Sequence, residues 1–408
     1  MTDGRTTSVG DLAIGGAQPA FAQPIHVGRP NVGDREALLR RIGDCLDRNW
    51  LTNNGPLVQE FESRVADYLG VRHCIAVCNA TIGLEITIRA VGLAGEVLVP
   101  SYTFIATAHA LDWQGIKPVF CDIDPLTHNI DPSEISRHIT PLTTGIIGVH
   151  LWGRPCAVRE LQAVAEEHQI KLIFDAAHAF GASYEGKRIG GFGEAEVFSF
   201  HATKFVNAFE GGAVVTNNDD IAKKIRLMTN FGFAGYDDVV YSGTNGKMTE
   251  VCAAMGLTSL DAMPDIVSRN FANYLAYQKG LAGLPGLRLI DYNGVQDCNY
   301  QYVVVEVDED VSGLTRDEIV RILHSENVLA RKYFWPGCHR MRPYRDKYPY
   351  SDAFLPATNA VAKRVMVLPT GTAIDYVSVE RICRILYTAL LHSADARALL
   401  VEDRQIAQ

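Results

Sequence analysis

Between residues 73 and 175 the chain alternates short apolar runs with stretches of helical period, and this restricts its fold more than any other feature. The runs are Cys74-Ile75-Ala76-Val77, Glu96-Val97-Leu98-Val99, Pro118-Val119-Phe120, Gly145-Ile146-Ile147-Gly148-Val149 and Lys171-Leu172-Ile173-Phe174. They show no apolar/polar alternation, so neither face of the strands they form is expected to meet water. Helical stretches fall between them at 82–92, 104–114 and 157–168. Strands of this kind separated by helices imply an α/β fold with a mostly parallel sheet covered on both faces. Ligands bind such sheets at the carboxyl ends of the strands, where Ser101, Asp175 and the segment before Lys204 would lie.

The flanking segments complete a two-domain plan, in keeping with 408 residues. Residues 1–24 lack periodicity and read as a loose tail. Asp34 opens a helix with Leu38, Leu39, Ile42, Cys45 and Leu46 on one face. After a turn at Asn53-Asn54-Gly55, a second helix carries Leu57, Phe61, Val65, Tyr68 and Leu69. A long helical stretch runs from Met248 to about Leu284 with Pro264 inside it. Strands at 301–307 and 365–368 and helices at 315–326 and 377–392 follow. The expected division is a large α/β domain over 25–264, a smaller α+β domain over 265–395, and a tail at 396–408.

Two residues placed by this plan suggest chemistry. Lys204 follows Ser199-Phe200-His201-Ala202-Thr203 and precedes a glycine turn, Gly211-Gly212, into the apolar run Ala213-Val214-Val215. Asp175 closes the strand Leu172-Ile173-Phe174 and is followed by Ala176-Ala177-His178. Taken singly, the lysine reads as a solvated strand end and the aspartate as a helix cap. Together they are the two groups that pyridoxal 5′-phosphate (PLP) requires: an amine for the Schiff base with its aldehyde, and a carboxylate that keeps the pyridine nitrogen protonated.

Other parts of a PLP site are also present. Asn79-Ala80-Thr81 begins a helix after the strand 74–78, offering backbone amides and a hydroxyl to a phosphate, or simply capping that helix. Ser199 could supply a second hydroxyl or be an ordinary surface serine. Pro100-Ser101-Tyr102-Thr103-Phe104 brings two aromatics to a strand end, as a lid for the ring or as core. His178 could hydrogen-bond the cofactor's phenolic oxygen or be a satisfied structural histidine.

Composition narrows the partners. A net charge of −9 without a basic stripe argues against nucleic acid. Nine cysteines without a Cys-x-x-Cys pair or zinc spacing read as reduced thiols of a cytoplasmic protein. No metal is expected. No apolar run reaches membrane-spanning length, and the N-terminus has no apolar core flanked by basic residues.

The chain resembles the DegT/DnrJ/StrS-type PLP-dependent sugar aminotransferases, members of the fold-type I superfamily. The resemblance spans about Ile25 to Leu391. It is carried by Trp50-Leu51-Thr52-Asn53-Asn54-Gly55, Asn79-Ala80-Thr81, Pro100 to Phe104, Asp175 to His178, Ser199 to Gly212, Asn245-Gly246-Lys247-Met248-Thr249-Glu250, and Arg331-Lys332-Tyr333-Phe334-Trp335-Pro336. It implies a seven-stranded sheet, with Lys204 as the Schiff-base residue, Asp175 on the pyridine nitrogen and Phe104 stacked on the ring. It further implies His178 where the family often has glutamine, and Ala80, Thr81 and Ser199 on the phosphate. Asn245 would reach the phosphate of a neighbouring subunit, giving an obligate homodimer. A lysine rather than a histidine at position 204 implies transamination, with L-glutamate as donor and a nucleotide-linked ketosugar as acceptor. The segment around Lys204 looks like that of the 4-ketosugar enzymes, so the expected reaction is amination at C4 of a dTDP-4-keto-6-deoxyhexose for an antibiotic or surface-polysaccharide sugar. The alternatives are a 3-ketosugar aminotransferase, a non-catalytic PLP-binding regulator, and a plain structural α/β protein.

Overall fold

The apolar runs become the strands of one sheet. In the computed structural model, which describes residues 8–292 and 297–406, the strands are β1 (His73–Val77), β2 (Glu96–Pro100), β3 (Lys117–Cys121), β4 (Thr143–Val149), β5 (Lys171–Asp175), β6 (Glu196–Ser199) and β7 (Gly212–Thr216). Their order across the sheet is β1-β7-β6-β5-β4-β2-β3. Only β7 runs antiparallel to its neighbours. Every residue of β2 and β7 is buried, which explains the missing alternation in the sequence.

Helices cover both faces. On one side α1 (Arg35–Asp47), α2 (Pro56–Leu69) and the first half of a 32-residue helix enclose Phe61, Val65, Phe198, Phe200, Ala254 and Leu257. On the other, α3 (Ala80–Val91) and α4 (Ile105–Asp112) pack Leu84, Ile88 and Leu111 on Val97, Val99 and Val197. The Asp34 carboxylate accepts from the amides of Glu36 and Ala37 and so starts α1. The start of α2 is capped from a distance: the buried Glu250 carboxylate accepts from Leu57 and Val58 N–H at 2.8 and 2.9 Å. A Cβ at Gly55 would lie 2.5 Å from that carboxylate carbon, so glycine is required there.

The 32-residue helix, α5 (Glu250–Leu281), passes through Pro264 without ending. Its residues up to Ile266 belong to the large core, whereas Tyr277 and Leu281 belong to a second one. That second core lies around a three-stranded antiparallel sheet of β8 (Leu287–Leu289), β9 (Val303–Val307) and β10 (Val365–Leu368), in that order. It is covered by α6 (Arg316–Ser325) and α7 (Tyr376–Leu391).

Both chain ends differ from the expected tails. Residues 1–7 and 407–408 lie outside the described residues. From Ser8 onward, however, the chain is docked: Val9, Leu12 and Phe21 are buried in the small-domain core. The two oxygens of buried Glu326 each accept a backbone N–H, from Ala13 and Ala20, at 2.7 Å. Ile25–His26 then pairs in parallel with Val328–Leu329. The sequence shows no period here because Val9 starts one short 3-10 turn, Leu12 is the extended residue that joins it to the next, and the partners of this segment lie about 300 residues away. At the other end, Ser393–Ile406 is helical, with Ala396 and Leu400 buried. Among the described residues no helix is long and apolar enough to cross a membrane.

Candidate active site

The carboxyl ends of β1, β2, β4, β5 and β6 and the first residue of the reversed β7 share one edge of the sheet. A cleft of about 630 Å³ opens along it. Ala80, Thr81, Phe104, Asp175, His178, Ser199 and Lys204 all line this cleft, so seven of the eight site residues named from the sequence come together.

At one end is the start of α3. Asn79 has extended backbone, and its side-chain oxygen accepts from Ile82 N–H at 2.9 Å. Capping therefore uses the third amide, while those of Ala80 and Thr81 remain among the helix-start donors that have no intrahelical acceptor. β7 runs hard against this point, since a Cβ on Gly212 would lie 2.7 Å from the nitrogen of Ala80 and 2.9 Å from the carbonyl oxygen of Phe198. Ser199 ends β6 beside them. Two free amides, two hydroxyls and a helix dipole form a cradle suited to a phosphate.

Asp175 lies at the base of the cleft, 6% exposed. One carboxylate oxygen accepts from the Thr107 hydroxyl at 2.8 Å and the other from Ala177 N–H at 3.1 Å. Burial pushes its pKa up, while these two bonds and the charge of Lys204 act in the opposite direction. A cation at this position, such as a protonated pyridine nitrogen, would hold the carboxylate ionised.

Lys204 sits in a turn closed by its own N–H on His201 C=O at 2.8 Å, and its Nζ lies 3.3 Å from the Tyr302 hydroxyl. Burial lowers its pKa to about 8, against the pull of Asp175 and Tyr333. His178 is buried, and its ring packs on Tyr302 and Trp152, with centroids 4.6 and 6.2 Å away. Burial, with the nearby Lys204 charge, holds its pKa well below the usual histidine range, so the ring is neutral. Phe104 forms a wall and meets Phe334 edge-on at 6.4 Å.

Not every strand-end residue faces the cleft. Tyr102 is fully buried and donates to the Tyr333 carbonyl at 2.6 Å, and Ser101 is bonded to His339 at 2.7 Å. Asn245 lies outside this cleft, exposed, on a segment bridged to Asn230. Sequence reasoning missed Thr107, Trp152 and Tyr302. It noted the run containing Tyr333 and Phe334 without giving either a role, and both line the cleft. Thr107 is two helical residues into α4 and carries no signal of its own. Tyr302 lies just ahead of β9, a small-domain strand that only the tertiary fold brings to the sheet edge.

The donor set fits PLP by its chemistry: an anion cradle, a satisfied carboxylate, an aromatic wall, and an amine whose burial favours its nucleophilic form. Fold and site together define a PLP-dependent aminotransferase. The chain belongs to the DegT/DnrJ/EryC1/StrS aminotransferase family, whose sequence model matches residues 33–387. It superimposes with a TM-score of 0.92 on a crystal structure of DesI in the presence of its TDP-sugar product. That match is 51% identical and covers 97% of this chain and 100% of the other. The chain is 35% identical over 365 residues to the dTDP-4-amino-4,6-dideoxy-D-glucose transaminase of Escherichia coli, covering 89% of this chain and 98% of that protein. It is also 35% identical over 307 residues to the GDP-perosamine synthase of Caulobacter vibrioides, covering 74% and 82% respectively.

The depressed pKa of Lys204 gives a direct test on the cofactor-free enzyme. Only the uncharged amine reacts with an acylating reagent, so labelling of the Lys204 peptide, followed by mass spectrometry, should rise with pH through a midpoint of about 8. Exposed lysines should follow a midpoint of about 10.4. Lys204 titrating with them would contradict the burial argument.

Proposed function

We propose that this enzyme moves an amino group from L-glutamate to C4 of a dTDP-4-keto-6-deoxyhexose in amino-sugar biosynthesis. The observation that carries the reading is the near-complete, 51% identical match to DesI, crystallised in the presence of its TDP-sugar product. The E. coli relative, named for a dTDP-4-amino sugar, points the same way. We place the reaction in the cytoplasm, where the cysteines would stay reduced.

Bound PLP supplies an electron sink for the carbon that gains or loses a proton. The chain supplies the rest. Ala80, Thr81 and Ser199 would anchor the phosphate and Phe104 would cover the ring. Asp175, ionised, would keep the ring nitrogen protonated, and His178 would donate to the phenolic oxygen. The amine of Lys204, whose pKa burial lowers to about 8, would take a proton from the substrate carbon and return it, as general base and then acid. NMR of the product formed from glutamate and a dTDP-4-keto-6-deoxyhexose should show nitrogen on C4. Nitrogen on C3, or turnover only with 3-ketosugars, would move the enzyme to the 3-ketosugar class.

We further propose a homodimer in which Asn245 serves the partner's phosphate site. Support comes from its position outside its own chain's cleft and from the exposed Phe231, Phe233, Tyr236 and Val239 on the same segment, an apolar surface that a second copy would cover. Homodimers of Lys204→Ala and of Asn245→Asp should both be poor enzymes, the second because a carboxylate repels a phosphate. In mixed dimers one site carries both defects and the other neither. Re-associating the two variants should therefore restore up to about a quarter of wild-type activity if mixing is statistical in a two-fold dimer. No recovery would mean that Asn245 serves its own chain.

A further inference from the structure

Behind His178 runs a chain of hydrogen bonds whose directions are all fixed by chemistry. The main-chain N–H of Trp152 points at His178 Nδ1 from 3.3 Å, and the indole Nε1–H of the same residue points at His128 Nδ1 from 3.2 Å. Both nitrogens of Trp152 can only donate, so both Nδ1 atoms must accept. A neutral imidazole that accepts at Nδ1 carries its proton on Nε2. For His128 that proton goes to Glu306 Oε1 at 2.7 Å. Glu306 also faces Arg288 at 2.6 Å and Arg364 at 2.9 Å, which keep it a carboxylate and so keep His128 a donor. For His178 the proton on Nε2 is left for the cleft that this residue lines.

The geometry of Trp152 is what joins the two histidines. Its backbone lies in the left-handed region, φ 61° and ψ 8°, which a bulky residue rarely adopts. The indole is fully buried, stacked on Phe334 at 5.1 Å and 19° and crossed by Tyr302 and Tyr102. His128 is itself fully buried, also has positive φ (64°), and lies between β3 and β4 of the large domain, whereas Glu306 belongs to β9 of the small one.

We propose that His128 is a positioning residue: through Trp152, and anchored on Glu306 of the small domain, it fixes His178 as the tautomer that donates from Nε2 into the cofactor cleft. The placing of the small sheet thereby reaches a proton in the active site. The proposal rests on the reading that His178 serves the cofactor's phenolic oxygen. A merely structural His128 would affect stability alone.

Two readouts separate these cases. The ring-nitrogen NMR signals of ¹⁵N-histidine-labelled enzyme report the His178 tautomer with and without PLP. The ratio of the two absorption bands of the bound cofactor, taken at one fixed pH, reports whether its phenolic oxygen holds a proton. In His128→Phe and in Trp152→Phe, which lacks the indole donor, the single Nε2–H pattern of His178 should give way to mixed tautomers. The band ratio should then shift several-fold toward the protonated oxygen. His128→Gln, whose amide can accept from the indole and donate to Glu306, should restore both. An unchanged tautomer and band ratio in the phenylalanine variants would overturn the proposal; should His128→Phe not fold, Trp152→Phe decides. His178→Phe serves as the control: if it leaves the band ratio unmoved, the assigned role of His178 fails, while the tautomer in cofactor-free enzyme still judges His128.

Discussion

A carboxylate at the end of a strand buried on both faces is costly to keep charged unless its oxygens are satisfied and a cation stands opposite. Asp175 meets the first condition through Thr107 and Ala177, and the protonated pyridine nitrogen proposed to face it would supply the second. Because β5 lies between β4 and β6, the same register that buries Asp175 sets Ser199 and the turn of Lys204 on one side and the His150–Trp152 segment on the other. The order of the sheet is thus also the layout of the site. The reversed β7 completes it, since only a strand starting with Gly212 can lie so close to the beginning of α3.

The large domain alone leaves the cleft unfinished. Tyr302, Tyr333 and Phe334 come from the small domain and close it beside Lys204 and His178. Several devices hold that domain in place: α5 runs unbroken from one core to the other, the Tyr102 hydroxyl anchors the Tyr333 carbonyl, and Glu306 receives His128. The N-terminal segment adds another by docking on Glu326 before the chain enters the large domain at α1. Buried hydrogen bonds between domains add little net stability, but removing one partner leaves the other buried and unsatisfied, and that favours a single relative placement.

Much of this was legible in the sequence because local patterns and burial agree. Continuous apolar runs could only be doubly covered strands, and the residues at their ends had to share an edge; Asp175, Ser199 and Ala80 followed from that. Lys204 needed its neighbours and the family resemblance, since a lysine after an apolar run has an ordinary explanation. Contacts that span the chain were not legible. Thr107 is a threonine inside a helix until the sheet brings Asp175 to it. Trp152 looks like core, and only its backbone angles and two donors reveal a link between His128 and His178. The docking of the N-terminal segment leaves no local pattern because its partner Glu326 lies at the far end of the sequence.

The central claim is that Asp175 remains ionised in order to keep the cofactor's ring nitrogen protonated. Enzyme loaded with PLP labelled with ¹⁵N in the ring tests it most directly, by the chemical shift of that nitrogen at neutral pH. The account predicts a protonated pyridine in the wild type and an unprotonated one in Asp175→Asn, whose amide cannot supply the opposing charge. A ring nitrogen that stays protonated in Asp175→Asn would contradict it.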